Sequence, residues 1–104
     1  MSIIDRIIKA NGICKTDIPP FLRGKLTATG CATKLGQEYY IFLAPANNTM
    51  GTEFTVAHEL GHILLGHLDN PPIAGGGIDA EMEANVFASV LLAFSQIAKI
   101  EGTA

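Results

Sequence analysis

The chain of 104 residues has no tryptophan, two cysteines, few aromatics and no long apolar run. Each shortage excludes something. Cys14 and Cys31 are far apart and form no CxxC pair, so they are not a metal knuckle and read as two buried free thiols. Apolar runs are broken by Lys, Gln, Gly or His well short of the roughly 20 residues that cross a bilayer. The N-terminus, "MSIIDRIIKANG", sets Asp5, Arg6 and Lys9 among its isoleucines, unlike a secretory signal, so a cytoplasmic location is expected. A basic excess is missing too. Seven Lys and Arg stand against ten Asp and Glu, for a net charge of -3. No direct contact with nucleic acid and none with a membrane surface is expected. What remains, 48% hydrophobic residues against 16% charged, is enough for the core of a single domain over residues 1–104.

Ile3, Ile4, Ile7 and Ile8 recur at helical spacing, with Ser2 and Asp5 as a capping box and Asn11-Gly12 as a stop. "TDIPPF" reads as a connector, because Pro19-Pro20 blocks both helix and central strand. "KLTATGCATK" and "EYYIFLA" are rich in Thr, Tyr, Ile and Phe and flank Gly36, so two or three short antiparallel strands are expected. Lys25, Thr27 and Thr29 alternate there with Leu26, Ala28 and Gly30, as on a half-exposed sheet. A helix from about Thr52 to His67 follows the turn cluster "PANNTMG". "LDNPPIAGGGID" is a connector, and its glycines lack the Lys-Ser/Thr of a phosphate loop. The last element is a long helix with Asp79 as its N-cap. The fold class is therefore α+β: a small sheet of about three strands against two helices, with a short N-terminal helix.

All three histidines lie in "TEFTVAHELGHILLGHL". His58-Glu59-Leu60-Gly61-His62 is an H-E-x-x-H pattern. Residues four apart on a helix differ by about 40° around its axis and about 6 Å along it, so both imidazoles lean over one patch. Two ring nitrogens can then share one zinc ion at roughly 2.0–2.1 Å. Glu59 flanks that face, where a carboxylate can act as general base toward a water that zinc acidifies. Leu60, Ile63 and Leu64 face away and anchor the helix.

His67 fits less well. On a continued helix its nine-residue offset from His58 is about 900°, which is the opposite side. A third ligand histidine in H-E-x-x-H-x-x-G-x-x-H stands six after the second, behind a glycine. Here the gap is five and Leu65 occupies the glycine position. Gly66 can end the helix before His67. The plainer reading is a helix-end histidine, favoured by the dipole, and a supporting or substrate-facing role comes second.

A catalytic zinc takes three protein ligands and keeps one position open. The last helix offers Glu81 and Glu83. From Glu83, the positions Phe87, Val90 and Phe94 follow three or four apart, so Glu83 is expected on an inward apolar stripe and is the favoured third ligand. Glu81, nearer the helix start, is the fallback. Tyr39, Tyr40 and His67 are candidates for stabilising a developing oxyanion, although strand packing accounts for at least one tyrosine.

"EFTVAHELGHILLGHL" followed by "EMEANVFASVLLA" resembles the ImmA/IrrE family of bacterial and phage-borne metallopeptidases. The matching residues are Phe54, Thr55, Ala57 through His62, and Glu83, Ala84, Asn85, Phe87, Ala88, Leu91 and Leu92, within a stretch of about Leu26 to Leu92. The resemblance implies a minimal gluzincin-like zincin fold holding one zinc on His58, His62 and Glu83, with Glu59 as base. It further implies an endopeptidase that cleaves a helix-turn-helix repressor and so switches on mobile-element or stress genes. Two departures stand out. Ala93-Phe94 replaces the family's Met-Pro, and this chain is shorter than many members. The alternative function is a zinc-containing module that captures a repressor or toxin partner without cutting it. Oligomeric state, the substrate and the cleavage site are not legible in the residues.

Overall fold

The computed structural model describes residues 2–19, 30–44, 49–69 and 77–100. Lys25, Thr27 and Thr29 and most of the proline- and glycine-containing connector before the last helix lie outside the described residues. The elements run α1 (Ile3–Ala10), β1 (Cys14–Asp17), β2 (Gly30–Leu35), β3 (Glu38–Leu43), α2 (Thr49–Leu64) and α3 (Gly77–Ile100). The class is α+β, as the residue pattern predicts.

Helix α1 begins where Ser2 Oγ accepts a hydrogen bond from the Asp5 backbone N–H at 3.1 Å. Asp5's own carboxylate pairs with Lys15 and also interacts with the Ser2 side chain. The helix ends in a Schellman motif. Gly12 has φ 65°, Gly12 N–H donates to the Lys9 carbonyl, and Ile13 N–H donates to the Ile8 carbonyl. Ile4 and Ile8 are buried in the core.

The sheet has three strands in the order β1-β3-β2. Strands β2 and β3 form the expected antiparallel hairpin, with Leu35 opposite Glu38 and Gly36 at φ 65° in the turn. Strand β1 departs from expectation twice. It falls in a segment with no strand signal, and it pairs parallel to β3, with Cys14 opposite Tyr40 and Asp17 opposite Leu43. The sheet is therefore mixed. All four β1 side chains are exposed, so no alternation marks the strand. Ile13 and Ile18, buried on either side, hold it in place. Cys14 is consequently exposed, not buried, and Cys31 is half-buried; both are free thiols.

The core forms where the sheet, α1, α2 and α3 meet, around Ile4, Ile8, Ile13, Ile41, Val56, Ala57, Leu60, Ile63 and Ala88. Helix α2 packs chiefly on α3 and also touches β2 and β3. The α2–α3 contact is close because the facing residues are small. Ala84 and Ala88 are fully buried, and a Cβ added at Gly61 would sit 3.0 Å from Phe87 Cδ1 and 3.2 Å from its Cβ. The inward face of α3 is thus Ala84, Ala88, Ser95 and Ala98. The expected inward stripe holds only at Phe87, which packs on the core; Val90 and Phe94 are 64% and 60% exposed. Leu64, expected to anchor α2, is exposed as well.

Candidate metal centre

Helix α2 turns His58 and His62 to one side, as their spacing requires. Their Nε2 atoms are 3.1 Å apart, and the rings meet edge to face with centroids 4.7 Å apart. Glu81 closes the group from α3. Its Oε2 lies 2.8 Å from His58 Nε2 and its Oε1 lies 3.1 Å from His62 Nε2. One donor atom from each of the three residues falls within 4.8 Å of the others. This donor set fits zinc. Two nitrogens bound at roughly 2.0–2.1 Å in a tetrahedron sit about 3.3 Å apart, close to the spacing seen. Two imidazoles and one carboxylate are also the ligand chemistry of a hydrolytic zinc site with one position left open. Glu81 is more than half exposed, so the site faces solvent.

Glu81, not Glu83, is the carboxylate brought to the histidine pair. The reason is the face of α3 that packs on α2. Glu81 stands three residues before Ala84, in line with the small inward residues, whereas Glu83 was placed by a stripe of which Val90 and Phe94 point outward. Glu83 instead meets His67, with Glu83 Oε1 3.0 Å from His67 Nε2.

His67 also lies elsewhere than continuous helix geometry predicts, because α2 stops at Leu64. Gly66, at φ 80°, reverses the chain. Gly66 N–H donates to the Ile63 carbonyl at 3.2 Å, and His67 N–H donates to the His62 carbonyl at 3.0 Å. This is a second Schellman motif, in which the residue after the glycine regularly touches the residue whose carbonyl it caps. Here that contact is imidazole on imidazole: His67 Nδ1 lies 2.9 Å from His62 Nδ1. His58 has its own support, with Asn85 Oδ1 2.8 Å from its Nδ1 and the Phe54 ring stacked alongside at 6.2 Å. Asn85 was not singled out as a site residue from the pattern alone, although it stands four positions after Glu81 and shares its side of α3.

Glu59 is almost completely buried beside this group. Burial pushes its carboxyl up to about 7; the His58 charge pulls it down, Glu81 pushes it up and the Ala32 backbone N–H pulls it down. That N–H belongs to β2, an edge of the described sheet. Burial lowers the His62 imidazole, and Glu81 opposes the shift. The tyrosines go elsewhere. Tyr39 donates to Asp69, which also pairs with Lys34 at 2.9 Å. Tyr40 donates to Glu38 at 2.9 Å and stacks on Phe42.

No helix among the described residues is long and apolar enough to cross a membrane. No curated protein and no solved structure matches the chain. The profile of the IrrE N-terminal-like domain, a peptidase family, matches residues 21–93. That span holds both histidines of the pair, Glu59, Glu81 and the whole of the α2–α3 contact up to residue 93. The chain belongs to the IrrE N-terminal-like peptidase family, a metallopeptidase type of domain.

Proposed function

We propose that the protein is a zinc-dependent endopeptidase that cuts a regulatory protein, with Glu59 as general base. One observation carries the reading: His58, His62 and Glu81 converge at metal-ligand spacing while a protonatable carboxyl, Glu59, sits beside them in a buried position. When bound there, zinc supplies Lewis acidity that polarises a carbonyl and acidifies water. His58 and His62 would hold the ion through Nε2, and Glu81 would add carboxylate oxygen. Glu59 takes a proton from the attacking water and returns it to the leaving amine. In the metal-free chain burial raises this carboxyl to about 7, and the charge of a bound cation would draw it back toward the ionised form a base needs. A peptide running along the β2 edge would pass the Ala32–Glu59 contact, and extended chains add to sheet edges by their main-chain hydrogen bonds. The family resemblance points to a helix-turn-helix repressor as the substrate, and the charged residues among the N-terminal isoleucines suit a cytoplasmic setting.

Glu59→Gln is expected to retain bound zinc and to lose at least a hundredfold in cleavage of such a repressor, measured by gel and mass spectrometry after zinc loading. Wild-type cleavage by this variant would defeat the mechanism.

A second reading, capture of the partner without cutting, is favoured by one feature. Tyr39 and Tyr40 are both engaged away from the metal ligands, which leaves neither aimed at an oxyanion. If Glu59→Gln still relieves repression in cells as well as wild type does, binding is the function and cleavage is not.

A further inference from the structure

His62 is the one ligand of the group whose far side is built from two further ionisable residues. Its Nδ1 meets His67 Nδ1 at 2.9 Å, and His67 Nε2 meets Glu83 Oε1 at 3.0 Å. Bonding rules permit one proton arrangement when His62 offers Nε2 to a metal. The His62 proton then sits on Nδ1 and is donated to His67 Nδ1. His67 carries its own proton on Nε2 and donates it to the Glu83 carboxylate. Every nitrogen has a partner of the opposite kind, and the chain of donors ends on a group that only accepts.

We propose that His67 and Glu83 are positioning residues that lock His62 in the Nδ1–H tautomer and hold its Nε2 lone pair toward a divalent cation. The proposal rests on the metal-site reading above. Three independent features support it. The Schellman turn at Gly66 fixes the His67 main chain against the His62 carbonyl, so the ring contact does not depend on the side chains alone. His62 and His67 are both largely buried, which keeps water from replacing either nitrogen. The arrangement also differs from that at His58, whose Nδ1 faces the neutral amide oxygen of Asn85 as hydrogen-bond acceptor. A carboxylate at the end of the line strengthens the donor power of a ligand imidazole, and a neutral amide does so less. His62 is therefore the stronger nitrogen donor of the pair, and two of the acidic residues of α3 divide the work: Glu81 faces the ion and Glu83 acts through two rings.

The test uses the full chain and zinc alone. Zinc affinity is measured by competition with a chromogenic chelator for wild type, Glu83→Gln, His67→Phe, His67→Asn and the double variant His67→Asn/Glu83→Gln. Glu81→Gln serves as a ligand control. In parallel, ring nitrogen NMR of the metal-free Glu81→Ala variant, in which no carboxylate competes for His62 Nε2, assigns the tautomers. His67→Phe is expected to weaken zinc binding about 10- to 100-fold. His67→Asn, which leaves an oxygen where Nδ1 stood, should recover part of that loss. Glu83→Gln should weaken binding in the wild-type background and do nothing further once His67 is Asn. His62 should carry its proton on Nδ1, against the usual preference of free imidazole for Nε2–H. Glu83 is exposed, so its amide variant leaves the core intact. Wild-type affinity in both Glu83→Gln and His67→Phe, or an Nε2–H tautomer at His62, overturns the proposal. If wild type binds no zinc but His62 is Nδ1–H, the metal reading fails while the tautomer lock stands.

Discussion

Glu59 is held in conditions that suit a neutral acid better than a carboxylate. Its folded pKa of about 7 lies above the ordinary 4.5, so the folded metal-free chain binds the proton more tightly than the unfolded chain does. The stability this adds is fully present below pH 4.5 and is lost as pH rises to about 7. A shift of that size corresponds to about 3 kcal/mol. His62 acts in the opposite sense. Its lowered pKa makes the folded state gain stability as pH rises toward 6.5. Urea denaturation of metal-free protein at pH 5 and pH 8 separates the two, because Glu59→Gln removes only the first. The variant should gain relative to wild type at pH 8 more than at pH 5, and an equal difference at both would rule out a raised Glu59. At this scale the histidine pair was legible in the residues, because four-residue spacing needs only helix geometry. The choice between Glu81 and Glu83 was not. It depends on which side of α3 meets α2, and that is decided by alanines and a glycine, which hydrophobic patterning weighs lightly.

The elements owe their ends to glycines in the left-handed region at Gly12 and Gly66. The first was legible as Asn-Gly after an isoleucine pattern. The second was visible, but its consequence was not, since returning His67 to His62 follows from cap geometry rather than helical phase. Strand β1 was missed because it has neither alternation nor burial of its own; it is placed by pairing with β3 and by the buried Ile13 and Ile18 on either side. The α2–α3 pair yields a sharper prediction. Alanine at a helical glycine ordinarily adds about 1 kcal/mol of stability. At Gly61 the new methyl meets Phe87 Cβ, an atom that cannot swing away from the α3 backbone. Gly61→Ala should therefore destabilise by about 1–2 kcal/mol and weaken zinc binding as α3 carries Glu81 outward. A raised urea midpoint for this variant would show that the helices are not as closely packed as described.

Over the whole molecule, apolar surface is divided unevenly. Leu60 is completely buried, while Met82, Val86, Val90, Phe94 and Ile97 form an exposed ridge along α3. Periodicity alone pointed to Phe87, Val90 and Phe94 as the inward face, and two of these three, Val90 and Phe94, lie on this ridge, because a hydrophobic stripe records phase and not direction. The division predicts two different responses in urea denaturation. Leu60→Ala should cost about 2–5 kcal/mol, whereas Phe94→Ser should stay within about 0.5 kcal/mol of wild type. A large loss from the second would place Phe94 in a contact within the folded chain. The α+β class was legible, because its helices and its hairpin are strongly patterned; the mixed pairing was not, because β1 has no pattern of its own.

The ligands come from two helices, His58 and His62 on α2 and Glu81 on α3, joined by a connector. An ion held by all three is thus a removable staple. It closes a loop of chain from His62 to Glu81, and closing a loop takes entropy from the unfolded ensemble as a disulfide would. An ion that binds only the folded state adds about 2.7 kcal/mol of stability when its free concentration is a hundred times its Kd. For so small a domain that is a large share of the total. Under the zinc reading, metal supply would set how firmly α3 is held on α2, as well as whether the site can act.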